Sequence, residues 1–244
     1  MRIATQNLNW GGEPKAPGCD GLPRLKRLVS LMEGLNADVL VLTEYKSGQL
    51  GDELRDLLAD AGFPHLVSHQ QTPFALGTAI ASRRPFLTVD LPIAATTEHW
   101  RSIGVDVDGI AVFGFYFPLK EAKSLYWDWV LANAAMLRSR EVILIGDFNT
   151  GKLRIDEAGE TFDCQEKLEA LEQLGFVDTW RAAYPKERDY TWYSSFGNGF
   201  RLDHIWASPQ MSSRIQRVWH HHETRLTLAS DHSAVVLDIC HPDE

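Results

Sequence analysis

The sequence predicts a mixed α/β protein made of two similar sheet-and-helix halves, packed sheet to sheet. Three observations carry that reading. A helical stripe of leucines leads into the apolar run "ADVLVLTE", and a later apolar helical segment leads into "EVILIGDFN"; each run ends in a charged residue. Between them lies a β-rich middle of "LGTAIAS", "FLTVDLP", "RSIGVDVDG" and "IAVFGFYFP". No long polar tract, low-complexity stretch or short-period repeat interrupts the 244 residues. A chain of this length can bury about 70% of its unfolded surface, so one domain needs neither a disulfide nor a structural metal to fold. The expectation is a single domain over residues 1–244.

The elements follow in chain order. "RIATQNLNW" alternates and reads as a strand. "LPRLKRLVSLMEGLN" sets Leu22, Leu25, Leu28, Met32 and Leu35 on one helical stripe. "ADVLVLTE" reads as a buried strand, and "DELRDLLADAG" as a short helix stopping at Gly62. After the β-rich middle, the spacing of Leu125, Trp129, Ala132 and Met136 predicts a helix over about residues 121–138 with that stripe inward. In "VILIGDFN", Val142 to Gly146 are aliphatic or small without alternation, as in a strand covered on both faces. "CQEKLEALEQLG" is helical. The short strands "YTWYSS", "FRLDHIWAS", "RIQRVWHHHE" and "SAVVLDIC" complete the chain.

Composition bounds the function. The net charge of −9 is the wrong sign for a nucleic-acid binder that relies on counterion release. A carboxylate-rich metal site, however, concentrates negative charge in enzymes that cut phosphodiesters. The basic clusters Arg24, Lys26 and Arg27, Arg83 and Arg84, and Lys152 and Arg154 read as solvated faces and helix ends. Cys19, Cys164 and Cys240 are odd in number and lack a Cys-x-x-Cys pair. That argues against a disulfide framework or a zinc site and fits a reducing compartment. The N-terminus has no apolar core of signal-peptide length, and no run is long enough to cross a membrane. A cytoplasmic protein without a membrane partner, and a monomer, are expected.

Polar residues sit oddly beside the apolar strands. They are Asn7 and Asn9 in "QNLNW", Glu44 in "VLTEY", Tyr116 in "GFYFP", Asp147 and Asn149 in "GDFN", Asp203 in "RLDHIW", and Asp231 and His232 in "ASDHSAVV". Singly, each has a plain explanation as a solvated strand end or a cap. Jointly, at strand ends throughout the chain, they do not.

The ordered set "QNLN", "TE", "YFP", "GDFN", "RLDH" and "SDH" resembles the endonuclease/exonuclease/phosphatase superfamily, and within it the exonuclease III-type AP endonucleases. The resemblance runs from Asn7 to His232 and rests on six short motifs in the right order. It implies a four-layer α/β sandwich of two packed mixed sheets flanked by helices, as in DNase I. It also implies a nuclease that hydrolyses phosphodiesters, most simply in DNA, with single strands or RNA also fitting. By the same resemblance the metal falls to Glu44, supported by Asn9 and Asp231. Phosphate and water handling fall to Asn7, Tyr116, Asp147, Asn149, Asp203 and His232.

The chemistry asks for these residue types. A phosphodiester repels hydroxide, so a hard cation must neutralise its oxygens. Mg2+, for which Mn2+ can substitute, takes a few carboxylate oxygens plus waters. Asp147 would orient or deprotonate the attacking water. Asn7 and Asn149 donate without adding negative charge. His232 would donate as a cation, favoured by Asp203, and Tyr116 would hold the phosphate or the leaving oxygen. Trp192, Phe200 and Leu202 fall, by resemblance, where AP endonucleases form an apolar pocket for a flipped-out abasic sugar. Plain packing of a hairpin explains them equally well.

Two other readings stand beside this one. A phosphatase of the same superfamily could act on a non-nucleic phosphoester; "YFP" at Tyr116 to Pro118 is the nuclease-type motif at the position that would distinguish them. A non-catalytic module that kept the fold would be expected to have lost a carboxylate or His232. The chain is short for the branch, and the tight "SSFGNGF" hairpin leaves little room for loops that enter a duplex groove. Lys120 and Lys123 read as helix-start lysines, although either could meet a phosphate. "WHHHE" reads as an exposed strand end, because only His220 and His222 share a face and no carboxylate nearby in sequence completes a ligand set. "LYWDWV" reads as core, and Trp100 as a surface aromatic.

Overall fold

The structure, a computed structural model, describes residues 1–13, 21–69, 75–92 and 98–240. Cys19 lies outside them, and Cys164 and Cys240 are free thiols. Strand β1 (Arg2–Asn7) leads through helix α1 (Leu22–Gly34) to β2 (Val39–Tyr45). Helix α2 (Gln49–Asp60), β3 (His65–Ser68) and β4 (Gly77–Ser82) follow. The middle of the chain forms β5 (Leu87–Thr88), β6 (Ser102–Val107), β7 (Ile110–Tyr116), α3 (Lys123–Leu137) and β8 (Val142–Asp147). Next come α4 (Gln165–Gln173), β9 (Val177–Asp178), α5 (Thr179–Ala183) and the hairpin of β10 (Trp192–Tyr193) and β11 (Gly199–Phe200). The chain closes with β12 (Asp203–Ala207), β13 (Ile215–His221), α6 (Glu223–Leu226) and β14 (Ala234–Ile239).

Two six-stranded mixed sheets result, ordered β13-β14-β1-β2-β4-β3 and β5-β6-β7-β8-β12-β9. Each has one parallel pair at its centre, β1 with β2 and β7 with β8, and antiparallel neighbours outside it. Parallel neighbours require a crossover, and α1 and α3 supply it. The internal symmetry legible in the two buried runs is therefore the symmetry of the sheets.

Strand alternation sorts the apolar residues into three layers of core. Ile3, Val39, Val41, Ile143, Ile145, Val235 and Leu237 meet between the sheets. The opposite faces, with Ala4, Leu40, Leu42 and Val236, pack under Leu25, Leu28, Met32, Leu54 and Leu58 of α1 and α2. Phe113, Phe115, Val142 and Leu144 pack under Trp127, Val130 and Leu137 of α3 and Leu168 and Leu171 of α4. This is the four-layer sandwich, with continuous apolar runs where a strand is covered on both faces.

Gly146 has a specific task in "LIGDFN". Its φ is +139°, and a Cβ there would meet the Phe115 carbonyl oxygen at 2.0 Å. Only glycine lets β8 approach β7 closely enough to present Asp147 beside Tyr116, its register partner.

Several elements differ from the sequence reading. Helix α3 turns Tyr126, Trp127, Val130, Ala134 and Leu137 inward, while Leu125 (68% exposed) and Met136 (56%) face solvent. "KSLYWDWVLANAAML" is apolar nearly all round, so periodicity could not fix its phase. Trp127 is wholly buried, its Nε1 donating to Thr150 Oγ1 at 3.0 Å, and Trp129 is half-buried against Phe115, so the aromatic residues of "LYWDWV" pack on the core while Leu125 and Asp128 face solvent. Trp100 is half-buried. "FLTVDLP" keeps only two strand residues, and "FRLDHIWAS" breaks between β11 and β12. Strands β3 and β9 and helix α5 are too short to leave a periodic signal.

The histidine run is not an exposed strand end. His220 is buried and stacked on Trp180 (3.8 Å between centroids, 13°), and a carboxylate distant in sequence, Asp189, closes on both His220 and His222. Beneath β12, Arg201 is wholly buried between Asp156 and Asp178, and Arg181 reaches Asp156 from the other side. Among the described residues no helix is long and apolar enough to cross a membrane.

Candidate active site

The carboxyl ends of the central parallel strands of both sheets meet along one rim. Asn7 ends β1, Glu44 lies near the end of β2, Tyr116 ends β7 and Asp147 ends β8. Asp203 opens β12 opposite Asp147 in the antiparallel register, and His232 lies two residues before the first residue of β14, bridged to Trp192. Side chains on strand ends of a rigid sandwich are held in place by the sheets themselves.

Asn7 is the hub of one half of the site. Its Nδ2 donates to Asp147 Oδ2 at 3.0 Å and to Glu44 Oε1 at 3.2 Å, while its Oδ1 accepts the Asn9 N–H at 2.8 Å. Asp147 is 1% exposed, and its second oxygen accepts the Asn149 N–H at 3.0 Å. Asn149 Nδ2 donates to the Phe117 carbonyl at 2.8 Å. Both Asn9 (φ 51°) and Asn149 (φ 46°) are left-handed, a conformation asparagine tolerates. Glu44 (φ 54°) is not so favoured. The β2–β4 register shifts between Thr43 and Tyr45, so Glu44 is the extra residue of a bulge that re-aims its carboxylate, and its Oε2 accepts the Trp10 N–H at 2.6 Å.

The other half is the Asp203–His232 pair. His232 Nδ1 donates to Asp203 Oδ2 at 2.8 Å, which leaves Nε2 as the nitrogen for the cleft. Burial alone would lower the imidazole, but the charge and hydrogen bond of Asp203, with Asp147 and Asp231 behind it, push it up to about 10. Burial, and then the facing Asp203, drive the Asp147 carboxyl well above the usual carboxylate range against the opposing pull of His232. Burial also raises the Tyr116 phenol, helped by Glu44 and Asp147, so it remains a donor; its OH lies 3.4 Å from Glu44 Oε1. The face of the Tyr116 ring carries Arg101 at 4.9 Å.

These groups border a cleft of about 400 Å³. Glu44, Tyr116, Asp147, Asn149, Asp231 and His232 line one part of it, and Leu119, Phe162, Trp192, Phe200 and Leu202 form an apolar wall. Trp192 and Phe200 are cross-strand partners with rings 5.7 Å apart. Trp192 Nε1 donates to Asp231 Oδ2 at 3.3 Å, which ties the wall to the charged end. Asn7, Asn9 and Asp203 stand behind the lining. Thus every residue singled out in the sequence comes to this rim, and the hairpin aromatics line its cleft.

The sequence reading missed what Arg24 and Glu157 do, and took Lys123 first as a helix-start lysine. Arg24 donates to the carbonyls of Leu8 (2.8 Å), Asn9 (3.0 Å) and Ala229 (2.9 Å), fixing both loops that carry site residues; it is no solvated helix end. Glu157, 1% exposed, accepts from the backbone of Thr161 (2.6 Å) and Phe162 (3.0 Å), which shapes the loop presenting Phe162. Lys123 is buried rather than solvated, its Nζ donating to the Asn149 carbonyl at 2.5 Å. Burial holds its pKa below the usual lysine value. Lys120 lines the cleft as well.

The donor set fits a hard divalent cation. Glu44 and Asp147 converge on one amide nitrogen, and Asp203 Oδ1 is buried without a hydrogen-bond partner among the described residues. Converging, partly unpaired carboxylate oxygens are what such an ion neutralises.

Comparison with known proteins agrees. The profile of the Endonuclease/Exonuclease/phosphatase family matches residues 4–232. The structure of the 3′ phosphatase NExo from Neisseria, bound to a product DNA hairpin, superposes with a TM-score of 0.80 at 25% identity, covering 99% of this chain and 100% of that one. An AP endonuclease from Archaeoglobus fulgidus shares the fold, with a TM-score of 0.77 at 22% identity over 99% and 100% of the two chains. Recombination repair protein 1 of Drosophila melanogaster is 30% identical over 114 residues, which is 40% of this chain and 16% of that protein's length.

Proposed function

Because this chain belongs to the endonuclease/exonuclease/phosphatase family, whose members hydrolyse phosphoester bonds, we propose that it is a Mg2+-dependent hydrolase of phosphodiesters in DNA. One observation carries the proposal: a buried carboxyl of raised basicity, Asp147, and a buried cationic donor, His232, border the same cleft and are each fixed by a second side chain. That arrangement suits an attack by water in which Asp147 orients or takes the proton while His232 Nε2 donates to the phosphoryl oxygen gaining charge. Asn149 and Asn7 add donors without anionic charge. The protonated Tyr116 phenol is a donor to the phosphate or the leaving oxygen.

Glu44, with Asp231 and the Asn9 amide, would hold Mg2+. When bound, the ion would neutralise phosphoryl oxygens and relieve the repulsion among the buried carboxylates. The similarity to a phosphatase bound to a DNA hairpin supports a DNA substrate. The apolar wall of Trp192, Phe200, Leu202 and Phe162 suits a sugar lacking its base, and Lys120 and Lys123 at the cleft suit a phosphate. A monomer in the cytoplasm is the simplest accompanying arrangement. The acidic net charge favours a second reading, a small non-nucleic phosphoester as substrate.

The test is a cleavage panel with Mg2+ and with EDTA. Its lanes are duplex DNA with one abasic site, plain duplex, a 3′-phosphorylated end, single-stranded DNA, RNA and a generic phosphomonoester. EDTA-sensitive action on a DNA lane is the expected result, and the preferred lane names the substrate. Phosphate release from the generic monoester alone would move the protein to the second reading.

A further inference from the structure

We propose that Asp189, His220 and His222 form a binding site for a first-row transition-metal ion, Zn2+ foremost, separate from the cleft and independent of the reaction there. His220 lies in strand β13, and His222 stands just past the strand's end, where the chain turns into α6. The segment between α5 and β10 brings Asp189 against both rings. Asp189 Oδ2 lies 3.0 Å from His220 Nδ1 and 3.2 Å from His222 Nε2, and its Oδ1 lies 3.1 Å from the same Nε2. Ligands bound at 2.0–2.1 Å around a tetrahedral ion stand about 3.3 Å apart. The carboxylate therefore already stands from each imidazole at close to the edge of such a tetrahedron, and one ligand atom from each of the three residues lies within 4.8 Å of the others.

The surroundings favour an ion of this class. Two imidazoles and one carboxylate suit Zn2+, Co2+, Ni2+ or Cu2+, whereas Mg2+ and Ca2+ prefer oxygen donors throughout. Both rings are oriented by other contacts. His220 is stacked flat on Trp180, and His222 Nδ1 meets Ser233 Oγ at 2.8 Å. The Asp189 and His222 side chains are 31% and 30% exposed, so solvent reaches the cluster and water can complete the coordination.

Occupancy would have a mechanical consequence. Asp189 lies three residues before Trp192 of the apolar wall, and Ser233 N–H donates to the Thr191 carbonyl at 2.8 Å. Thr191 Oγ1 in turn accepts the N–H of Leu202 at 3.1 Å and of Asp203 at 3.3 Å. An ion at Asp189 would clamp to β13 the segment from which these groups hang.

The experiment uses the full chain, stripped with a chelator and kept in millimolar Mg2+ to supply the cleft. Zn2+ is titrated calorimetrically, Co2+ is followed by its visible d–d absorption, and Tm is recorded with and without Zn2+. The expected result is one Zn2+ per chain that Mg2+ does not displace, a Co2+ spectrum of tetrahedral intensity, and a Tm rise of about 5–10 °C at a hundredfold excess over Kd. Glu44→Gln should keep all three. Asp189→Asn and His222→Gln, both at partly exposed positions, should each weaken Zn2+ binding by at least about tenfold. Undiminished Zn2+ affinity in both variants, or the lack of a Mg2+-resistant site in the wild type, would overturn the proposal and leave a hydrogen-bonded strut.

Discussion

Replacing Arg201 by Met should be the most revealing single change outside the cleft. The Arg201 side chain has no solvent exposure and spans two buried carboxylates. It donates to Asp156 at 2.7 and 3.0 Å and to Asp178 at 3.2 and 2.6 Å. Without it, Asp156 keeps the Arg181 guanidinium, while Asp178 keeps the Arg181 backbone N–H at 3.2 Å and the more distant His204 Nδ1 at 3.8 Å. Breaking a buried pair by removing one partner costs about 3–5 kcal/mol, because the remaining charge is uncompensated. For a chain of this size that is a fall in Tm of about 6–20 °C.

The pH dependence carries a sign as well as a size. Burial alone would raise the Asp156 carboxyl, but Arg201 holds it at about 2, below its ordinary value of 3.8, and holds Asp178 lower still. A group depressed in the folded state contributes stability above its unfolded pKa and loses it as pH falls through the folded one. Wild-type stability from this source is thus complete above about pH 4 and is lost as pH falls, the Asp156 part by about pH 2 and the Asp178 part lower still. In Arg201→Met, burial dominates at Asp178 and its carboxyl rises, so stability should increase as pH is lowered from 7 toward 4. Guanidinium unfolding followed by tryptophan fluorescence at pH 7, 5.5 and 4 measures both effects. A loss below about 1 kcal/mol, or parallel pH slopes in the two proteins, would refute the reasoning. Adding Asp156→Asn and Asp178→Asn to Arg201→Met should recover much of the loss, since no buried charge is then left unpaired.

Asp147→Asn should lower kcat by about 10²–10⁴ on the preferred substrate, the range for a general base, with metal affinity largely retained; single-turnover rates and calorimetry check the two parts. Glu44→Gln should act on the metal first, so a rate-against-Mg2+ titration should shift to higher concentration and recover activity in excess. If neither change alters turnover, the assignment of the site fails. Trp192→Ala should weaken cleavage at an abasic site more than at a plain phosphodiester, and an unchanged ratio would remove the pocket argument. On α3, Trp127→Ala should cost about 3–5 kcal/mol, whereas Leu125→Gln with Met136→Gln should stay within about 0.5 kcal/mol. Thermal unfolding distinguishes the face chosen by the structure from the stripe suggested by spacing.

Much of this protein was legible in its sequence because the signal was local. Runs such as "ADVLVLTE" and "VILIGDFN" could only be strands covered on both faces, and their repetition carried the two-half architecture. Polar residues at the ends of such runs are conspicuous, which is why Asn7, Glu44, Asp147 and His232 could be gathered before any geometry was known. Tertiary structure decided whatever depends on partners far apart in the chain. Helix α3 is apolar on every side, so only the sheet beneath it selects Trp127 over Leu125 and Met136. Arg24 and Lys123 read as solvated basic residues do, yet packing half-buries the first and buries the second against backbone carbonyls 15 to 205 residues away. Arg201 finds Asp156 and Asp178, and His220 finds Asp189, across 23 to 45 residues. Burial then fixes their ionisation, because the free energy of a charge in a protein depends on what surrounds it in space and not on its neighbours in the chain.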